Sequence, residues 1–274
     1  MLKSNIPEKI KDSILNSKNF ITNEDIIKKF NVKRITATNY LSRLEKEGLI
    51  TRIVRGGYLS IQKSKLKPEM DPKIIEIQEL IRNTSPFMEF IIWSIFNIKK
   101  FFHNIPFRNH IFIEAKQMFE LKTIKEILFE HDIESIINPK LKDFEELPYK
   151  KEIPVLLFKR KNIYGIIKVN DISTSISERC VLDLYYYITR THFNYPIEEL
   201  KNILINMIQT GEFNFSFAMR YAKIRNFEFE LLLIISRLHQ ELPNYIPKKY
   251  IERIRILKRN LNQFLGKGWT DGFF

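Results

Sequence analysis

The sequence predicts a mixed α/β protein of the α+β class. An N-terminal winged helix-turn-helix is expected over residues 1–62, a linker over 63–72, and a mixed α/β domain over 73–274 whose last part is helical. Three observations carry that reading. Residues 33–60, KRITATNYLSRLEKEGLITRIVRGGYLS, spell one amphipathic helix, a glycine stop and a basic two-stranded ribbon. Between Met88 and Val169, short apolar runs of strand length alternate with segments of helical period. From Ser177 onward the period stays helical.

The first helix is expected over Pro7–Ser17, with Pro7 at its start and Ile10, Ile14 and Leu15 on one face. Phe20-Ile21 is extended, and Thr22 or Asn23 caps a second helix that ends near Phe30, with Ile26, Ile27 and Phe30 inward. Asn31-Val32 forms the turn. In the third helix Ala37, Leu41 and Leu44, with Tyr40 beside them, recur as one apolar stripe. Gly48 supplies the C-cap, and strands Ile50–Arg55 and Tyr58–Ser60 turn at Gly56-Gly57, where a positive φ costs little.

The side of the third helix away from that stripe carries the residue types that read a DNA major groove: arginine for guanine, asparagine for adenine, threonine and serine for bases or phosphates. The candidate DNA contacts are Lys33, Arg34, Thr36, Thr38, Asn39, Ser42, Arg43 and Lys46, with Arg52 and Arg55 on phosphate at the wing. A solvated charged face gives the same pattern on a helix alone. The glycine stop and the basic ribbon behind it are what favour double-stranded DNA as the partner.

Charge agrees. Of the net +13, residues 1–67 hold 15 Lys and Arg against 6 Asp and Glu, while the remaining 207 hold 30 against 26. A positive field concentrated in one quarter of the chain marks a polyanion binder. The single cysteine, Cys180, excludes an intrachain disulfide and a Cys-cluster zinc site and fits a reducing compartment. The start lacks an apolar leader core, and the runs near Phe87–Phe96 and Phe229–Ile235 fall short of the roughly 18–20 residues of a membrane span. A cytoplasmic location with no membrane partner is expected.

After the polar, proline-bearing segment QKSKLKPEMDP, a helix is expected over Lys73–Arg82 on Ile74, Ile77 and Ile81. Strand Met88–Ser94, an aromatic helix near Asn97–His103, strand His110–Glu114 and helix Lys116–Glu130 follow. Strands are expected at Ile133–Asn138, Pro154–Arg160 and Tyr164–Val169. Helices then cover about Ser177–Thr189, Ile197–Thr210, Phe215–Ile224, Phe229–Gln240 and Lys248–Phe264.

Catalytic patterns are few. Glu114-Ala115-Lys116 is the E-x-K half of a nuclease metal site, in which a carboxylate holds magnesium and lysine stabilises developing charge. The upstream acidic ligand such a site needs is missing; the nearest acids are Glu89 and Glu79. His103, His110, His131, His192 and His239 show no zinc spacing, Cys180 sits in an apolar helical pattern, and no glycine-rich phosphate loop occurs. No cofactor or metal is expected, and the chain is read as not an enzyme. A metal-dependent nuclease using Glu114 and Lys116 is kept as an alternative, as is a winged-helix regulator with a ligand-sensing or dimerisation domain. Tyr185, Tyr186, Tyr187 and Tyr195 suit either a core or a surface that stacks RNA bases. Lys248–Lys258 is amphipathic and basic.

Several short motifs recur in a telling order: a strand ending in Trp93-Ser94, Phe101-Phe102-His103, HIFIEAK, EILFE, SISERCVLDLYYY over Ser175–Tyr187, and FAMRYAKIRN over Phe217–Asn226. From Phe87 to about Arg225 this order resembles the AbiE-type antitoxins of type IV toxin–antitoxin, or abortive infection, systems, which also carry a winged helix in front. Ser177-Glu178-Arg179…Leu182-Asp183-Leu184 is similar to their SPERALLDL-like stretch, and Met219-Arg220-Tyr221-Ala222 to their late Arg-Tyr-Ala element. Cys180 and the Tyr185–Tyr187 run depart from that pattern. The resemblance implies a repressor that binds repeats in its own promoter and an antitoxin that counteracts a nucleotidyltransferase-like toxin without forming a stable complex with it. The motif residues it singles out are Glu178, Arg179, Asp183, Arg220 and Tyr221.

Overall fold

The computed structural model describes residues 6–17, 20–47, 49–54, 56–60, 70–104, 108–161, 164–191 and 193–265, with side chains described as far as 256. The expected Gly48 cap, Arg55, His192, linker residues 63–69 and the side chains of Leu257 and Lys258 lie outside that set. Two compact units result: Met1–Ser64 with Met207–Phe274, and Lys65–Asn206. The α+β class holds. The expected single domain over 73–274 does not, because everything from Met207 onward groups with the N-terminal residues.

The first unit opens with α1 (Glu8–Leu15), β1 (Ile21–Thr22), α2 (Asn23–Phe30), α3 (Arg34–Lys46), β2 (Thr51–Val54) and β3 (Gly57–Leu59). The sheet runs β1-β3-β2, all antiparallel, which is the winged helix-turn-helix arrangement. Thr22 starts α2 through a capping box: its Oγ1 accepts from the Asp25 amide at 3.2 Å, and the Asp25 carboxylate accepts from the Thr22 amide at 2.7 Å. Asn31, at φ 49, ends α2 in the left-handed conformation that asparagine tolerates. Ile10, Ile14, Ile21, Ile26, Ala37, Leu41, Leu44, Ile50 and Tyr58 form the core beneath α1–α3.

The two ribbon glycines serve different ends. Gly56 takes the positive φ, 74°. Gly57 is needed for space: a Cβ there would sit 2.0 Å from the Phe20 ring, so only glycine lets that ring close over the strand.

Beyond Met207 lie α9 (Phe215–Ile224), α10 (Glu228–Glu241) and α11 (Lys248–Leu265). Their place in the first unit follows from burial in the sheet. All of β3 is buried, and so are Ile53 and Val54 of β2, although Ile53, Val54 and Leu59 lie outside the core under α1–α3. A sheet apolar on both faces needs a second cover, and α9 packs against β2 to supply it. The Phe20 amide donates to the Asn244 carbonyl at 3.2 Å. Phe215 meets Phe213 edge-on at 5.0 Å and Tyr250 at 5.6 Å, and Arg253 reaches Glu228 at 2.8 Å.

The second unit contains α4 (Pro72–Thr84), β4 (Phe90–Ser94), β5 (Ile111–Ala115), α5 (Met118–Glu130), β6 (Ser135–Ile137), α6 (Leu141–Glu146), β7 (Val155–Lys159), β8 (Ile166–Val169), β9 (Ile172–Ser175), α7 (Ser177–Thr191) and α8 (Ile197–Gln209), whose last turn passes into the first unit. Helix α4 begins on Pro72, with Asp71 accepting from the Lys73 amide, so the helix claims the end of the expected linker. The aromatic helix expected near Asn97–His103 is a 3-10 segment, Ile95–Phe101. The main sheet runs β4-β5-β7-β6, antiparallel for β4–β5 and parallel for the other pairs, while β8 and β9 form a separate hairpin.

Alternation on β5 sorts the layers. Ile111, Ile113 and Ala115 pack toward α4 and α5, in one cluster with Ile74, Ile77, Ile81, Leu121, Ile124 and Leu128. Phe112 and Glu114 face the other way, toward α7: Phe112 stacks on Tyr187 at 5.4 Å, and Glu114 meets Arg179.

Candidate nucleic-acid interface

Helix α3 is held by its apolar stripe: Ala37, Leu41 and Leu44 are each fully buried. At 100° per residue, the line diametrically opposite is Ile35, Asn39, Ser42 and Lys46. Asn39 and Lys46 are exposed, Ser42 is half-buried, and Ile35 is 75% exposed. Lys33 and Arg34 lie exposed at the start of the helix, and no acidic residue stands in its first turn. Arg52 on β2 is the exposed cation of the ribbon among the described residues.

Not every expected contact faces outward unengaged. The Asn23 side-chain amide donates to Thr38 Oγ1 at 2.8 Å, and Thr38 Oγ1 donates to the Arg34 carbonyl at 2.9 Å. Thr38 therefore ties α2 to α3. Arg43 pairs with Glu47 one turn on, at 3.0 Å, and is half-buried, as is Thr36. The outward line is therefore Ile35, Asn39, Ser42 and Lys46, with Arg34 exposed at the start of the helix. Ile35 was missed by the sequence reading, although the signal is there: it is an aliphatic residue out of phase with the Ala37–Leu41–Leu44 stripe.

The residues singled out in the second half of the chain behave differently. Glu114, Arg179 and Asp183 are all buried, at 0%, 1% and 0% exposure. Arg179 Nη2 bonds Glu114 Oε2, and its Nε lies 3.3 Å from Asp183 Oδ2. Arg160 Nε stands 3.6 Å from the same Glu114 oxygen, Trp93 Nε1 donates to Glu114 Oε1 at 3.3 Å, and Arg160 Nη2 donates to the Tyr187 hydroxyl at 2.6 Å. With two guanidinium groups on its carboxylate, Glu114 is a poor ligand for a cation. Lys116 points elsewhere, to Glu89 at 2.9 Å on the surface, where each holds the other in its charged form: Lys116 is shifted up and Glu89 down by their hydrogen bond. The E-x-K spacing thus does not assemble one site.

Glu178 is buried at the start of α7. Arg220 is exposed, its Nε donating to the Ser216 carbonyl at 3.3 Å, and Tyr221 is buried against Phe217 at 5.8 Å. These two belong to the first unit, while Glu178, Arg179 and Asp183 belong to the second. Burial pushes the Cys180 thiol up, away from the thiolate a nucleophile needs. Tyr187 fills the core among Phe112, Phe144 and Phe158. Tyr195 is buried too, though it lines an open cleft of about 450 Å³ with Phe144, Tyr149 and Phe193.

Residues 36–241 match a family of unknown function, DUF6577. The chain belongs to that family. The DUF6577 match begins inside α3 and ends on the last residue of α10, so it takes in Asn39, Ser42, the ribbon and the whole buried cluster. No curated protein matches this chain. Among the described residues of this DUF6577 protein, no helix is long and apolar enough to cross a membrane, and no three His, Cys, Asp or Glu side chains converge as a metal cluster.

Proposed function

We propose that this protein is a sequence-preferring DNA-binding repressor that also acts as a type IV antitoxin. The observation that carries the repressor half is the outer line of α3. The helix, tied to α2 through Asn23 and Thr38, offers Asn39, Ser42 and Lys46 opposite its buried stripe, with Arg34 exposed at its start. These groups suit the donor and acceptor pattern of a major groove, and the cations of this region suit phosphate. The antitoxin half is supported by the resemblance of the Ser177–Leu184 and Met219–Ala222 segments. In that reading the buried Arg179 cluster shapes the second unit and does not itself touch the toxin. A cytoplasmic location goes with both halves.

One pair of assays tests the two halves separately. A reporter driven by the DNA upstream of the chain's own gene is silenced by the wild type and released by the double variant Arg34→Ala/Asn39→Ala. That same variant still rescues cells from the product of the adjoining gene. A reporter indifferent to the wild type contradicts the repressor; failure of wild type and variant alike to rescue contradicts the antitoxin.

A second reading has an observation of its own. The open, aromatic-walled cleft of Phe144, Tyr149, Phe193 and Tyr195 is the feature that a regulator whose second unit binds a planar ligand would use. Thermal shift against nucleosides and aromatic metabolites, lost in Tyr149→Ala, is the outcome that would support it.

A further inference from the structure

Ile35 is the one large aliphatic side chain of α3 set out in water, at 75% exposure, on the first turn of the helix and on the line diametrically opposite the buried stripe. It contributes little to the core from there. Its neighbours on the surface are the exposed Arg34 before it and the exposed Asn39 one turn later. In a major groove the base pairs differ in one apolar feature, the C5-methyl group of thymine, and apolar side chains recognise it by contact.

We propose that Ile35 reads the methyl group of a thymine lying one to two base-pair steps from the base met by Asn39. The ligand of this face is then a duplex with a thymine at a fixed offset from an adenine. The inference rests on the reading that α3 enters a DNA major groove, and it names what that groove must contain. The offset follows from geometry. Residues four apart on a helix are separated by about 6 Å along the axis, and base pairs are stacked about 3.4 Å apart. Asparagine pairs with the N6 and N7 edge of adenine, so Ile35 and Asn39 together select an A·T-bearing step, while Arg34 and Lys46 hold phosphate or guanine beside it.

The test uses the full chain and a preferred duplex defined by footprinting on its upstream DNA. Each thymine is replaced in turn by deoxyuridine, which deletes the methyl group and leaves every hydrogen-bonding edge in place. At one thymine the wild type should bind roughly fourfold more weakly, the equivalent of one buried methyl group. Ile35→Ala should lose about as much on thymine DNA and be insensitive to uracil at that position. Alanine is the strongest helix former and the site is exposed, so the variant keeps its fold, which its circular dichroism will verify. Uniform indifference to uracil, or an equal uracil penalty in Ile35→Ala, overturns the proposal and leaves DNA binding intact. A change in sedimentation in Ile35→Ala with no uracil effect assigns the side chain to a second copy of the chain instead. No sequence-preferring duplex at all overturns both this inference and the reading beneath it.

Discussion

On α3, Arg34 sits exposed at the start of a helix whose first turn carries no acid. On α7, Arg179 carries the same charge at 1% exposure between Glu114 and Asp183. Both arginines belong to short segments that look functional in the sequence. The structure separates them by where the charge is neutralised. A guanidinium already bonded to two buried carboxylates has little left to offer a ligand. One exposed to water, beside other cations, gains from meeting an anion. The motif with the stronger family flavour is therefore the structural one, and the plainer helix is the candidate interface.

Breaking the buried arrangement should have the largest effect. Arg179→Ala leaves Glu114 and Asp183 in the interior without their shared cation, and removing one partner of a buried pair costs about 3–5 kcal/mol. Urea denaturation should show that loss. Replacing all four charged residues, Arg160 included, by apolar side chains of similar volume should recover much of it, since buried ion clusters and apolar isosteres are often near break-even. A single-variant loss below ~1 kcal/mol would mean that α7 is held on the sheet by its aromatic contacts alone.

The next effect is pH-dependent and also lies in the second unit. His110, just before β5, is buried edge-on against Phe193 and pushed down to about 4, chiefly by burial and then by the charge of Arg108. The unfolded chain takes up this proton near 6.5, before the folded chain does, so the stability is complete above that pH. It drains away as pH falls toward 4, in total about 3 kcal/mol. His110→Leu should flatten the stability profile across that window; an unchanged profile would place the acid sensitivity elsewhere.

On α3 the expectation is reversed, with affinity falling and stability preserved. Asn39→Ala and Arg34→Ala should each weaken binding to a preferred duplex by about 1–3 kcal/mol if they read bases. Melting temperatures should stay unchanged. Thr38→Val provides the internal contrast and the smallest effect. It removes the hydroxyl shared with Asn23 and should cost about 1 kcal/mol of stability. Its effect on affinity should be the same for all sequences. A change in sequence preference in Thr38→Val would show that Thr38 contacts bases after all.

Much of this was legible because it is local. The stripe Ala37–Leu41–Leu44, the cap at Thr22, the turn at Asn31 and the strand Phe90–Ser94 all follow from spacing and residue type within one element. The Arg179–Asp183 pair was readable as an i, i+4 ion pair. Its partner Glu114 was not, because it lies 65 residues away. Likewise nothing in GGYLS says that the second face of the ribbon is covered, since the helix that packs there, α9, comes from the far end of the chain. Strand β9, Ile172–Ser175, was not among the expected strands, although Asn170 and Asp171, at φ 47 and 62 between Val169 and Ile172, are a recognisable two-residue hairpin turn. At the candidate interface, spacing identified the face but not which residues on it were already engaged. Thr38 and Arg43 look the same as Asn39 until their partners Asn23 and Glu47 are placed.

The most direct test of the central claim is fluorescence anisotropy of the full chain on its own upstream DNA against a scrambled duplex, across a salt series, with Asn39→Ala alongside. The expected result is tight binding to the upstream duplex only, with a steep salt slope, and a selective loss of that preference in the variant. Equal, weak binding to both duplexes, unchanged by Asn39→Ala, would contradict it and leave the basic region as a non-specific anchor.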